Sequence, residues 1–303
     1  MAGPVSERSP DGWELRGVGG VELLICTALE AVGADVAITG RRGGTSRGPY
    51  RSLNLGLHVG DDPVAVVENR RRAAAAFGAR PGDLVLGAQV HGAGVAAVGD
   101  AHRGRGMASS DDALPGVDAL VTDRPGPVLV SLAADCVPVA LVDPAAGVLA
   151  TVHAGWRGVA AGVVEAALRR MGELGARPSR MEAGIGPAVS ARTYQVGDEV
   201  AAAVRRHLAR GGAGGSGDAS DDPVATGAPE YPDDPATRVL VADGPGHWLL
   251  DMSSVVRHIL HREGVAAEAV HMAATSTGSA GPFFSDREVR PCGRFGLLAR
   301  LRP

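Results

Sequence analysis

Three residues carry the side chains of ligands or nucleophiles in settings that could expose them to a cleft. They are His91 in Gln89-Val90-His91-Gly92, Cys136 in Ala134-Asp135-Cys136, and His153 at the head of His153-Ala154-Gly155-Trp156-Arg157-Gly158. Each alone has an ordinary explanation. An isolated histidine is usually a surface or hydrogen-bonded structural residue, and a free cysteine is usually buried. Asp135 weakens the core-thiol reading, because it places a charge inside an apolar stretch. On a regular strand Asp135 and Cys136 point to opposite faces, so one of them meets polar surroundings. Together, two histidines and a cysteine form a borderline-soft donor set that suits zinc, with a fourth position left for water or substrate. Their separations are far longer than those of structural zinc motifs, and spacing alone does not define a metal site. The same residues serve a cysteine hydrolase or transferase, with Cys136 as nucleophile and His153 or His91 as base.

The segment from His153 to Gly158 reads as a strand end, a glycine turn and a helix start, an arrangement whose unpaired N–H groups favour anions. Arg157 adds a forked cation suited to phosphate or carboxylate. A copper-dependent polyphenol oxidase needs many histidines in close pairs. The nearest pair is His258 and His261, on a helix-like stretch where solvent is the expected partner.

The elements that must position these residues alternate from Val21 onward, which predicts an α/β or α+β domain. Residues 1–18 read as a flexible tail, and 19–303 as a single catalytic domain. Asp35 to Thr39 reads as a strand. Asp62 and Pro63 start a helix, the first by accepting from orphan N–H groups and the second by suiting the first helical position. Gly78 stops it. Val128 to Val142 is a buried strand pair or one long bent strand, and Val148 to Val152 returns after the turn at Asp143 to Gly147. A helix from Val159 carries Val159, Val163, Ala167 and Met171 on one stripe, with Val164 and Leu168 beside it. Residues 211–235 are low-complexity and acidic, and read as a loop insertion.

Composition excludes several classes. Apolar residues make up 45% and aromatics 3% of the 303 residues, so Val, Ala and Leu must fill the core. The net charge of -4 has no basic face behind it, which argues against nucleic acid and anionic membrane as partners. No apolar run reaches the length of a membrane span, and the polar N-terminal segment lacks a signal-peptide core. Cys26, Cys136 and Cys292 show no CxxC spacing, which favours a reducing compartment. The expected address is cytoplasmic.

Read in order, the segments RRGGTSRGPYRSLNLGLHVGDDP, Asn69-Arg70, QVHG, VDALVTDRPG, ADCVPV, HAGWRG, GIGP, FFSDR and Cys292-Gly293-Arg294 span Arg41 to Arg294. In this order they resemble the bacterial purine nucleoside phosphorylases also called polyphenol oxidases, laccase-domain proteins or peptidoglycan editing factors. The resemblance implies a layered α/β/β/α fold with mixed sheets and a catalytic zinc, copper being the other metal possible, on His91, Cys136 and His153. It further implies phosphorolysis of adenosine, inosine and methylthioadenosine to base and sugar 1-phosphate, with adenosine deamination beside it, and an association as homodimers. Arg41 and Asn54 fall on the family's pocket positions. Arg41 and Arg157 are the expected phosphate cradle, and Asp135 the expected proton carrier. Zinc suits deamination because it lowers the pKa of water it holds to about 7, for attack at purine C6. Two departures bear on pocket shape: Asp286 stands where FFSYR has tyrosine, and Thr275 to Pro282 lacks the family's Cys-Thr.

Overall fold

The apolar run from Val128 to Val142 divides between two sheets, and the architecture is built around that division. The computed structural model describes residues 11–210 and 238–303. Its first strands are β1 (Trp13–Val18), β2 (Val21–Cys26), β3 (Ala34–Thr39), β4 (Leu84–Ala88), β5 (Val95–Ala97) and β6 (Leu114–Pro115). Then come β7 (Ala119–Thr122), β8 (Val128–Ala133), β9 (Val137–Asp143), β10 (Val148–Ala154) and β11 (Glu182–Ile185). The last are β12 (Gln195–Gly197), β13 (Leu240–Ala242), β14 (His247–Leu250), β15 (Val270–Met272) and β16 (Phe295–Leu301). The helices are α1 (Thr27–Ala31), α2 (Pro63–Ala76), α3 (Trp156–Ala160), α4 (Val163–Glu173), α5 (Asp198–Leu208) and α6 (Met252–Arg262).

One sheet has seven strands in the order β1-β2-β3-β16-β8-β4-β6, and the other six in the order β15-β11-β9-β10-β7-β5. Both are mixed. β4 runs parallel to β8 and β6, while β5 and β15 run parallel to β7 and β11. A small sheet, β12-β14-β13, stands apart.

Alternation along the strands sets the layers. On β8, Leu129 and Ala133 join the core between the sheets, whereas Val130 and Leu132 join the core under α2. On β10, Leu149 faces between the sheets, and Val148, Ala150 and Val152 pack with α4, α5 and α6. Sheets buried on both faces need near-continuous apolar strands, which is why 128–142 and 148–152 show no polar alternation. The result is the expected α/β/β/α layering. The turn joining β9 to β10 closes as expected, with both Ala145 N and Ala146 N donating to Asp143 Oδ1 at 3.0 Å.

The helix signals hold with one adjustment. Val64 N donates to Asp62 Oδ1 at 2.9 Å, and Pro63 opens α2. Val163, Val164, Ala167, Leu168 and Met171 all bury one face of α4. Val159 belongs instead to α3, because Gly162 at φ 87 breaks the single expected helix in two. Residues 13–18, expected within the tail, are edge strand β1, paired in register with β2. Trp13 anchors it: the ring is 2% exposed and Nε1 donates to His271 O at 3.1 Å. The 211–235 segment lies outside the described residues.

Candidate metal centre

Two crossings between the sheets carry two of the three expected ligands. The chain leaves β4 in the seven-stranded sheet, passes through residues 89–94 and enters β5 in the other. It repeats this from β8 through residues 134–136 into β9. His91 stands on the first crossing and Cys136 on the second, while His153 sits near the end of β10. Gln89 ties the crossings together. Its Nε2 donates to Leu132 O at 2.8 Å, and its Oε1 accepts from Leu132 N at 2.7 Å, so a side-chain amide extends the β4–β8 ladder. Both crossings turn sharply through a non-glycine residue in the left-handed region, His91 at φ 60 and Asp135 at φ 88. Such conformations cost about 1–3 kcal/mol and persist where surrounding contacts hold them.

Those turns bring one ligand atom from each of His91, Cys136 and His153 within 4.8 Å of one another. His91 is exposed, Cys136 half-buried and His153 buried, so the group opens to solvent on the His91 side. The two imidazoles meet edge to face, centroids 4.8 Å apart. Gly155 makes room for them, since a Cβ there would stand 2.9 Å from Cys136 Sγ and 3.0 Å from His91 Cδ2. Gly155→Ala should therefore lower zinc affinity about tenfold or more through ligand displacement, read by competition with a chromophoric chelator. Unchanged affinity would show that the ligands have room to yield.

Sequence reasoning missed the residue that organises this group. Asp118 lies just before β7, its side chain wholly enclosed. One oxygen, Oδ1, faces His153 Nδ1 at 2.8 Å and accepts from His91 N at 2.9 Å. The other accepts from Val90 N at 3.1 Å and Gly92 N at 2.8 Å. A carboxylate only accepts, so Nδ1 of His153 carries the proton and Nε2 is left as the donor to a metal. Burial opposes the charge of Asp118, but the His153 and backbone hydrogen bonds outweigh it and hold the carboxyl below its usual range. A signal was present in Val117-Asp118-Ala119-Leu120, a lone acid at the mouth of an apolar run, which reads equally well as a turn residue.

Cys136 and His153 shift each other. Burial pushes the thiol up, but the charge and hydrogen bond of His153, together with His91, bring it down to about 6. Burial pushes His153 down, but the Cys136 thiolate and Asp118 raise it to about 9. A deprotonated cysteine beside two imidazoles, one oriented by a buried carboxylate, fits zinc.

The other expected site residues divide. Asp135 is not on a strand, so the opposite-face argument does not apply. Its Oδ1 accepts from Thr277 Oγ1 at 2.5 Å and its Oδ2 from Arg287 N at 2.6 Å. Both carboxylate oxygens thus anchor the 275–290 segment, a poor arrangement for carrying protons. Asn54 is 0% exposed. Its amide donates to Gly56 O and Asp61 Oδ2 and accepts from Gly56 N and Arg294 N, which saturates it. Arg41 stacks 4.9 Å from the Phe284 ring centroid and donates from Nη1 to Ser279 O. Arg157 is exposed and lies 4.4 Å over Trp156. The helix it belongs to, α3, has five residues, too few for the expected helix-terminus anion site. Asp286, the departure from FFSYR, pairs with Arg290 at 2.6 Å and Arg294 at 3.0 Å.

Among the described residues, the His91, Cys136 and His153 group is the one cluster with metal-ligand geometry. The family model that matches residues 35–302 is described as multi-copper polyphenol oxidoreductase laccase. A purine nucleoside phosphorylase of Streptomyces coelicolor is 52% identical over 172 residues, 57% of this chain and 68% of the relative. The purine nucleoside phosphorylase YlmD of Geobacillus stearothermophilus is 43% identical over 187 residues, 61% of this chain and 68% of that one. The crystal structure of that YlmD superposes with a TM-score of 0.83 at 33% identity, covering 97% of this chain and 100% of the other. The YfiH protein of Bacillus licheniformis superposes at 0.82 with 27% identity, covering 95% and 99%. Fold and sequence thus agree that this chain belongs to the laccase-domain family.

Proposed function

We propose that the chain is a zinc-dependent purine nucleoside phosphorylase that converts adenosine, inosine and methylthioadenosine to free base and sugar 1-phosphate. Adenosine deamination is the proposed side reaction. The observation that carries the reading is the convergence of His91, Cys136 and His153 on one point, braced by Asp118 and open toward solvent. Relatives named for this activity support it.

Zinc held there supplies Lewis acidity and lowers the pKa of water. The chain's own residues do the rest. Asp118 keeps the Nδ1 proton on His153 and fixes the loop that presents His91. Phosphorolysis calls for phosphate held near the ribose C1′ and for stabilisation of an oxocarbenium-like state. Arg157 stands exposed beside the centre with the fork geometry to hold an oxyanion.

A second reading is favoured by one observation: the Cys136 thiolate beside the His153 imidazolium is also the activated pair of a cysteine nucleophile. Copper remains compatible with the donor set. Incubation of metal-analysed protein with inosine and phosphate separates these. The expected result is hypoxanthine and ribose 1-phosphate only when phosphate is present, stoichiometric zinc, and loss of both in Cys136→Ala. Bound zinc without nucleoside cleavage would overturn the substrate. Bound copper would overturn the metal. Absence of metal and product together would move the nucleophile reading forward.

A further inference from the structure

Beside the candidate metal centre, two arginine–aromatic pairs lie at a phenol whose hydroxyl makes no hydrogen bond among the described residues. Tyr194 is fixed by its main chain: its N donates to Ser190 O at 2.9 Å, and its O accepts from Leu250 N at 3.0 Å. Its ring packs with Trp156 against the core outside the six-stranded sheet. The phenol lies within electrostatic reach of Cys136, Arg287, Asp135 and Arg157. Among the described residues its hydroxyl makes no hydrogen bond. Burial, then the negative charges of Cys136 and Asp135, push it up to about 12, so at neutral pH it is an O–H donor.

The flanking cations are held by stacking more than by counter-ions. Arg287 lies 5.7 Å from the Tyr194 ring centroid and gives Nη2 to Gln195 O at 2.6 Å. Nε and Nη1 stay available. Arg157 rests on Trp156 and, among the described residues, forms no ion pair. Asp135, an acid whose charge acts on Tyr194, already has both oxygens occupied by Thr277 and the Arg287 backbone. The cluster therefore offers N–H and O–H donors and two positive charges. That combination is matched by a tetrahedral oxyanion.

We propose that Tyr194, Arg287 and Arg157 form an oxyanion subsite that takes inorganic phosphate as the co-substrate, an inference resting on the phosphorylase reading. Arg41 stacks on a different ring, that of Phe284, and is not counted in the subsite.

The test is calorimetric titration of zinc-loaded protein with inorganic phosphate, without nucleoside, for wild type, Tyr194→Phe, Arg287→Lys and Arg287→Met. Tyr194→Phe keeps the ring and should weaken phosphate about tenfold, the effect of one hydrogen bond to a charged group. Arg287→Met should weaken it more, and Arg287→Lys should recover part of the loss. Zinc content and the KM for nucleoside should hold while the KM for phosphate rises. Undetectable phosphate binding by wild type, or equal binding by all four proteins, would overturn the subsite. Weakened phosphate binding in the variants of a protein that cleaves no nucleoside would keep the subsite and overturn the phosphorylase reading. Nucleoside cleavage with an unmoved phosphate KM would do the reverse.

Discussion

Asp118→Asn lowers the affinity for zinc by about 10- to 100-fold, and phosphorolysis at limiting zinc falls with it. The expectation rests on counting donors. Val90 N, His91 N, Gly92 N and His153 Nδ1 all converge on the two oxygens of one enclosed carboxylate. An asparagine amide has a single accepting oxygen, and its NH2 would face N–H groups that have nothing to accept with. One end of the arrangement must therefore give way. Either the loop that presents His91 loosens, or His153 loses the partner that fixes its tautomer. Competition against a chromophoric chelator measures the affinity, with urea unfolding of both proteins as the control for gross destabilisation. Wild-type zinc affinity in a folded Asp118→Asn protein would reduce Asp118 to a loop tether.

The second large effect belongs to the metal-free protein. Cys136 comes down from the ordinary thiol range near 9 to about 6, on the order of a thousandfold change in its proton affinity. The sign follows from the pair. The thiolate exists above about pH 6 and is lost as pH falls through that value. The His153 imidazolium exists below about 9 and is lost as pH rises through it. The ion pair thus occupies the window between, and the two titrations belong to the pair jointly. After chelation, iodoacetamide should alkylate Cys136 at a rate that holds between about pH 6 and 9 and drops below. Cys26, pushed up to about 12 by burial, and Cys292, also raised by burial, stay silent. Peptide mapping identifies the modified thiol, and re-addition of zinc should protect it. A midpoint at the ordinary thiol pKa would sink the ion-pair assignment.

Local signals in the chain translated directly. Asp62 and Pro63 announce α2 because capping is a contact between neighbours in sequence. The Val163 to Met171 stripe announces α4 because helical periodicity needs only one face of burial. The proposed ligands were legible as side-chain types and through family order, whereas their convergence depended on crossings between sheets that no local pattern encodes. Asp118 stayed hidden for the same reason: its partners at 90–92 and 153 lie far away in sequence. Asp135 misled because strand alternation was carried through residue 134, where the backbone in fact leaves the strand for a left-handed turn. Asn54 misled in another way. Its place in a family motif reflects a saturated amide holding Gly56 and Arg294 together.

The placement of the ligands on the two crossings has a consequence for assembly. His91 and Cys136 belong to the segments that pass from one sheet to the other, and His153 to a strand of the second sheet. Neither sheet alone holds the set, so the proposed metal site exists only after the sandwich has closed. A metal ion captured there adds its binding free energy to the closed form by mass action. Such an ion would act late, as a latch on the docked sheets, and a chelator would then favour their separation as well as inhibit.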